Sequence, residues 1–138
     1  MKTELDMMKR DGALYPSSQV AKDAFDRITS KRKVIVTVHQ ARNPDHHAKA
    51  WAVATKVADN DPHFQDAEDA MEWAKLKTPW MIRSWKTDGD KIIVQTKSIS
   101  YASMDQLRFN EFYDRAVKLW SERLGVDVET LEREAQAA

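Results

Sequence analysis

Apolar side chains recur every three or four positions through most of this chain, which is the spacing of helices that bury one face. In the segment 44–59, for example, Ala50, Trp51, Ala54 and Val57 would lie on one side of a helix. The pattern predicts helices over residues 17–28, 44–59 and 66–77, a long helix that follows Ser103 and ends at Gly125, and a last helix over 128–135.

Residues suited to helix ends stand at the predicted boundaries. Asn43 precedes Pro44, and an Asn cap followed by proline in the first helical position is a common helix start. Ser103 and Gln106, three residues later, have the spacing of a capping box. Gly125 favours the left-handed backbone that ends many helices. These signals support the predicted helix boundaries independently of the apolar pattern.

Other segments have the composition of strands. The run "KVIVTVH" (33–39) is β-branched and almost continuously apolar, which is typical of a well-covered strand, and "TELDMMK" (3–9) predicts a shorter one. The runs 79–86 and 91–98 flank "TDGD" (87–90), and Asp-Gly between two such runs is a strong hairpin signal.

The elements together predict the order β-α-β-α-α-β-β-α-α. With 138 residues, 42% hydrophobic and 32% charged, the chain suits one folded domain. We therefore expect a single α+β domain over residues 1–138, in which about five helices cover a small, mainly antiparallel sheet that includes a β-hairpin.

Composition excludes several classes of chemistry. The chain has no cysteine, so disulfides, thiolate metal sites and a cysteine nucleophile are ruled out. Its three glycines do not form a phosphate-binding loop, and no nucleophile-elbow motif is present. We expect a non-catalytic protein without a cofactor. The first residues lack an apolar leader and no run approaches the roughly 20 apolar residues of a membrane span, so a cytoplasmic location is expected.

Charge is balanced overall but unevenly distributed along the chain. Residues 31–56 carry six Lys/Arg against one Asp, and 75–97 carry six against two. Residues 57–74 carry six acidic groups and no Lys or Arg, 98–138 carry eight against five basic groups, and 1–30 are balanced. The two basic segments predict a positive patch if they meet in the fold; the alternative is that they form ordinary solvated faces.

Nucleic-acid binding is the function that this distribution favours. Basic and aromatic residues interleave in the basic segments, a mixture that single-strand binders use to hold phosphates and stack bases. In the predicted hairpin Lys86 pairs with Lys91 and shares a face with Lys97, and facing like charges are unfavourable without an anion nearby. The candidate nucleic-acid contacts are Arg42, Lys49, Arg83, Lys86, Lys91 and Lys97 for phosphates and Trp85 for stacking.

A metal site is a weaker candidate. Adjacent His46 and His47 point about 100° apart on a helix and do not easily share one ion. His39 would join His47 if the strand end lay beside the helix start, with Asp45 or Asp61 as an acidic ligand. The favoured interpretation is a packed, hydrogen-bonded His47 and no metal.

Two segments resemble phage proteins. "KSISYASMDQLRFNEFYDRAV" (97–117) resembles the K-S-I-S-[FY]-A-x-M-D segment of a phage and prophage family of unknown function. That family also has a leading strand, an L-x-P before a helix and an R-N-x-x-x-H-x-K motif, so the resemblance covers nearly the whole chain. "RNPDHHAKAW" (42–51) is similar to a segment of the Orf (NinB) family of lambdoid phage recombination mediators, which bind single-stranded DNA as homodimers.

The resemblance implies a phage-type accessory protein of DNA recombination or replication in the cytoplasm of a bacterial host. It would bind single-stranded DNA, as a homodimer and with a host or phage protein as partner. Two alternatives stay open. One is a protein-interaction module, an inhibitor or adaptor of a host protein, that uses the acidic helix 66–77 and the charged C-terminal helix. The other is a metal-dependent nuclease built on His39, His46 or His47.

Overall fold

The computed structural model describes residues 3–137 and confirms the α+β class. This range contains five helices and two separate two-stranded antiparallel sheets. By its internal contacts the chain divides into two compact units, one that ends at Thr37 and one that begins at Val38. The elements are β1 (Met7–Arg10), β2 (Ala13–Pro16), α1 (Gln19–Asp26), α2 (Pro44–Asn60), α3 (Ala67–Leu76), β3 (Ile82–Asp88), β4 (Lys91–Thr96), α4 (Gln106–Leu124) and α5 (Val128–Ala137), with a 3₁₀ turn at Pro79–Met81.

The first unit is a hairpin followed by a short helix. Strands β1 and β2 pair through an Asp11–Gly12 turn in which both residues have positive φ, 52° and 79°. Glycine and aspartate tolerate this backbone better than most residues do, and such turns match the twist of a hairpin. Ser18 caps α1 by accepting a hydrogen bond from the backbone N–H of Ala21 at 3.1 Å. The predicted leading strand is thus the first half of a hairpin.

The predicted strand at 33–39 is wrong. Within the described chain this segment belongs to no strand or helix, and its apolar side chains are exposed, from 50% at Val34 to 87% at Ile35. A strand requires a hydrogen-bonded neighbour, and each hairpin here pairs only with itself. The order is therefore β-β-α-α-α-β-β-α-α, and two ribbons replace the single predicted sheet.

Helices α2 to α5 form the core of the second unit, as the apolar pattern predicts. Phe109, Phe112 and Trp120 of α4 are fully buried, and they pack with Val53 and Val57 of α2. The indole N–H of Trp120 donates to the carbonyl oxygen of Ala70 at 3.0 Å, so its one polar atom is satisfied inside the core. None of the helices in residues 3–137 is both long and apolar enough to cross a membrane.

Caps fix where the helices around the candidate site begin. Asn43 caps α2, and its side-chain oxygen accepts from the N–H of Asp45 at 3.0 Å, as predicted. Helix α4 begins later than the predicted capping box: Asp105 is its cap and accepts from the N–H of Arg108 at 2.9 Å. The Ser103 hydroxyl is instead bonded within the preceding loop. Serine and aspartate are both good helix caps, but here Asp105 makes the capping hydrogen bond.

Candidate nucleic-acid interface

The β3–β4 hairpin forms a two-stranded ribbon that turns at Gly89, whose φ is +61°. Asp88 pairs with Lys91, and Lys86 pairs with Ile93. The predicted pairing of Lys86 with Lys91 is therefore wrong. It would require a two-residue turn at Asp88 and Gly89, whereas the turn lies at Gly89 and Asp90. Lys91 faces a carboxylate-bearing residue, which removes the like-charge conflict inferred from the sequence.

The two faces of this ribbon differ in chemistry. Side chains alternate between the faces of a strand, so Lys86 and Lys91 share one face, while Trp85 projects from the other with Ile92 and Val94. The Trp85 side chain is 69% exposed, and Ile92 is equally exposed. The predicted phosphate contacts and the predicted stacking ring thus lie on opposite faces of one thin ribbon.

The ribbon carries cations without ion-pair partners. None of the five ion pairs found within residues 3–137 involves Arg83, Lys86, Lys91 or Lys97. All four residues are exposed. Residues 82–97 carry these four basic groups and two acidic ones, so the ribbon has a net charge of +2. The structure brings these four predicted residues together on one hairpin and at its base.

Arg42 lies elsewhere and is engaged by the protein. Its guanidinium donates to the carbonyl oxygen of Ile99 at 2.5 Å and lies 3.8 Å from the centre of the Phe109 ring. It approaches two further carbonyls of the same loop, and its buried Nε has no hydrogen-bond partner. Burial lowers the pKa of Arg42, although Tyr101 and Asp105 oppose this shift. The side chain ties the start of α2 to the loop before α4.

His47 lies between two hydrogen-bond donors. Its Nδ1 is 2.6 Å from a guanidinium nitrogen of Arg42, and its Nε2 is 3.2 Å from the indole nitrogen of Trp51. A neutral imidazole has one acceptor nitrogen, and a protonated one has none. Burial and the nearby Arg42 charge lower the pKa of His47 and keep the ring neutral. One of the two donors therefore lacks a full hydrogen bond.

His46 joins a polar network at the start of α4. Its Nδ1 accepts a hydrogen bond from the side-chain amide of Gln106 at 2.8 Å. The same amide nitrogen donates to Asn110 at 2.7 Å, and the amide oxygen of Gln106 accepts from the backbone N–H of Asn43 at 2.6 Å. Burial and the charge of Lys49 lower the pKa of His46. Gln106 is itself buried, so this network joins two helix starts.

Lys49 is also engaged within the protein. Its ammonium group forms an ion pair with Glu132 of α5, and the hydroxyl of Tyr113 donates to the same carboxylate at 2.8 Å. Burial raises the pKa of Glu132, but hydrogen bonds from Lys49 and Tyr113 outweigh it and the net pKa is lowered. Burial together with Glu132 raises the pKa of Tyr113. Lys49 thus links α2 to α5.

The histidines are not arranged as a metal site. No group of three His, Asp or Glu side chains in the described part of the chain is placed to hold an ion. His39 contacts Asp105, His46 contacts Gln106, and His47 contacts Arg42. The nuclease hypothesis therefore has no metal-binding cluster among the described residues to support it. The prediction that Arg42 and Lys49 contact phosphates stays a prediction.

A depression of about 340 Å³ lies beside the base of the ribbon. Lys97 is the predicted site residue that lines it. His39, a candidate metal ligand in the sequence, lines it as well. Trp80, Ser103, Met104, Asp105 and Arg108 complete the lining and were not predicted as site residues. The spacing of Asp105 and Arg108 at the start of α4 is a local signal, but His39, Trp80 and Lys97 come from distant segments and could not be linked to it from the sequence.

Comparison with known proteins gives one structural likeness. No family model matches the chain, and no curated protein matches it. A solved structure titled "Structural Genomics, NinB" is similar, with 22% sequence identity, a TM-score of 0.45 and coverage of 86% of each chain.

Proposed function

We propose that this protein is a non-catalytic, phage-type accessory protein of DNA recombination or replication that binds single-stranded DNA through the β3–β4 ribbon. The observation that carries the proposal is the exposed ring of Trp85 on a hairpin whose four cations lack ion-pair partners among the described residues. The resemblance of residues 42–51 and 97–117 to phage segments supplies the biological setting.

The exposure of Trp85 supports base stacking. A large aromatic ring that is 69% exposed leaves much apolar area in water, and such rings often mark binding surfaces. A DNA base offers a flat partner of any sequence, and each stacked base contributes about 1–3 kcal/mol to binding. Ile92 and Val94 flank the ring on the same face and extend the apolar surface available to a base or sugar.

The cations support phosphate contact. Arg83, Lys86, Lys91 and Lys97 follow both strands of the ribbon and are exposed. A flexible single strand can cross the ribbon, so that its bases meet Trp85 while its phosphates meet the lysine face. Phosphate contacts release counterions, and affinity should therefore fall steeply with added salt.

The half-buried Arg42 supports this interface by fixing the position of the end of β4. Arg42 bonds the loop at Ile99, two residues after Lys97, and the backbone N–H of Lys97 donates to the carbonyl oxygen of Met81 at 2.7 Å. Contacts from two directions thus fix the end of β4. In this proposal Arg42 is a positioning residue for the DNA surface.

A salt-titrated binding assay with short single- and double-stranded DNA tests the proposal. Trp85→Ala should weaken single-strand binding about tenfold, since one stacking contact is lost. Val20→Ala is the matched control, because Val20 is an apolar residue of α1 that is 80% exposed. Affinity that does not change with salt, or that is unaffected by Trp85→Ala, would contradict the proposal. Equal affinity for both DNA forms would contradict its single-strand part.

The same apolar face also favours a second function, a protein-interaction module. Trp85, Ile92 and Val94 form an exposed apolar strip on one face of the ribbon, and aromatic residues are enriched at protein interfaces. A host or phage replication protein would then cover the strip. A complex that survives nuclease treatment and high salt, and that Trp85→Ala abolishes, would favour this function over DNA binding.

A further inference from the structure

The depression beside the ribbon combines three kinds of recognition group. Arg108 places its guanidinium 4.9 Å from the centre of the Trp80 ring, and the Glu111 carboxylate holds the guanidinium at 2.9 Å. Lys97 supplies a cation from the end of the hairpin, and Asp105 supplies a carboxylate. The planar guanidinium of Arg108, the flexible ammonium of Lys97 and the carboxylate of Asp105 therefore border one hollow of about 340 Å³.

The presence of Asp105 argues against a hollow that binds phosphate alone. A carboxylate repels a phosphate, but it accepts hydrogen bonds from an exocyclic amino group, as acidic side chains do from cytosine N4. One oxygen of Asp105 accepts from the N–H of Arg108. Its other oxygen is 3.7 Å from the His39 ring, which is longer than a hydrogen bond, so it retains capacity to accept.

Arg108 provides a stacking surface. Guanidinium planes stack on nucleobases, and this one is preorganised because Trp80 supports one side of it and Glu111 fixes its end. The Arg108 side chain is 59% exposed, so the guanidinium is accessible to a base. Lys97 borders the same hollow and can reach the phosphate of the nucleotide whose base is bound.

We propose that this depression is a nucleotide subsite that prefers bases with an exocyclic amino group, with cytosine as the simplest case. This inference rests on the proposed single-strand binding and adds a base preference to it. Arg108 stacks on the base, Asp105 accepts from its amino group, and Lys97 contacts its phosphate.

Oligodeoxycytidine and oligodeoxyuridine of equal length form the sharpest pair of probes, since uracil carries a carbonyl oxygen where cytosine carries the amino group. The wild-type protein should bind oligodeoxycytidine roughly three- to tenfold more tightly, which is the effect of one net hydrogen bond. Asp105→Asn should bring this ratio close to one, because the amide can also donate to the uracil oxygen. Asparagine remains a good helix cap, so α4 should retain its start.

Asp66→Asn is the matched control, because it makes the same charge change at the cap of α3 and should leave the ratio unchanged. Arg108→Lys keeps the charge and removes the plane, so it should weaken binding of both oligonucleotides without changing their ratio. It tests the subsite even if Asp105→Asn fails to fold.

The two levels of the proposal fail differently. If both oligonucleotides bind with equal affinity and steep salt dependence, and Trp85→Ala weakens both, the subsite is wrong and the proposed function stands. A wild-type preference that persists in folded Asp105→Asn also overturns the subsite. If neither oligonucleotide binds, both proposals fall.

Discussion

Arg42 donates a hydrogen bond to the carbonyl oxygen of Ile99 at 2.5 Å, although 57 positions separate the two residues in the chain. The contact joins the start of α2 to the loop before α4. Arg42 also packs on Phe109 and contacts His47. Arg42 therefore links two segments of the second unit that lie far apart in the chain.

Replacement of Arg42 should reduce stability more than replacement of a ribbon cation. Arg42→Ala removes the donor of the part-buried carbonyl of Ile99 and the packing on Phe109, and it should lower the free energy of unfolding by about 2 kcal/mol. Arg83→Ala alters an exposed residue and should change it by less than about 0.5 kcal/mol. Urea unfolding followed by circular dichroism measures both, and equal effects would contradict the role assigned to Arg42.

The salt dependence of DNA binding should report individual ribbon cations. Lys86→Ala and Lys91→Ala should each reduce the slope of log K against log salt by about 0.7, the value for one phosphate contact on a single strand. Lys118→Ala is the control, because it removes an exposed lysine on α4 outside the ribbon. An unchanged slope in both ribbon variants would show that these lysines do not contact phosphates.

Stability should fall as the pH drops below the usual range of histidine. Burial lowers the pKa of both His46 and His47 from 6.5, so the unfolded chain binds more protons than the folded protein near and below that pH. Their contribution to stability is therefore present above pH 6.5 and is lost as the pH falls through their lowered folded values. Unfolding measured from pH 7.5 to 5 should show this loss.

Gln65→Asn provides a control, since it changes an exposed side chain that does not titrate. His46→Asn should flatten the pH profile of stability, while Gln65→Asn should leave its shape unchanged. A profile that is the same in His46→Asn as in the wild-type protein would contradict the assignment of this pH dependence to the half-buried histidine pair.

Two tryptophans should respond differently to the loss of the indole N–H. Trp120→Phe removes the indole donor to the carbonyl oxygen of Ala70 and leaves a void in the core, so it should cost about 1–3 kcal/mol. Trp51→Phe removes one of two donors that compete for His47, so its cost should be smaller, below about 1 kcal/mol. Denaturant unfolding of the two variants tests this order, and the reverse order would show that Trp51 holds the better hydrogen bond.

Gly125 should resist substitution because of its backbone and not because of its surroundings. Its φ is +72°, while a Cβ added there would meet nothing within 4 Å. Gly125→Ala should therefore cost about 1 kcal/mol, and Gly125→Asn should cost less because asparagine tolerates the left-handed region. Thermal unfolding distinguishes the three proteins, and equal midpoints would exclude conformational strain at this residue.

Local signals explain which parts of the fold could be predicted from sequence. Asn43 and Pro44 marked the start of α2, and Asp-Gly marked the β3–β4 hairpin, because these preferences act within a few residues. The segment 33–39 has equally strong strand composition, but a strand depends on a distant partner that composition does not reveal. Ser103 and Asp105 are both suitable caps by residue type, so composition alone did not show that Asp105 would cap α4.

The candidate site was predictable only in part for the same reason. The cations of the ribbon are neighbours in sequence, so Lys86 and Lys91 were found by local charge. The charges of Arg42 and Lys49 were also evident from the sequence. Their partners in the fold, the carbonyl of Ile99 and the carboxylate of Glu132, lie far away in the chain and could not be predicted. The hollow forms where Trp80, in the turn before β3, meets Arg108 of α4. The spacing of apolar residues along the sequence does not predict that contact.

The segment 33–39 is exposed and belongs to no strand or helix, so a protease can test whether the second unit carries the proposed DNA contacts by itself. A cut between Thr37 and Val38 would separate the hairpin and α1 from a fragment that starts at Val38. That fragment retains Arg42 and its loop, the β3–β4 ribbon and the hollow beside it. Every residue on which the proposed DNA contacts depend therefore lies outside the N-terminal quarter of the protein.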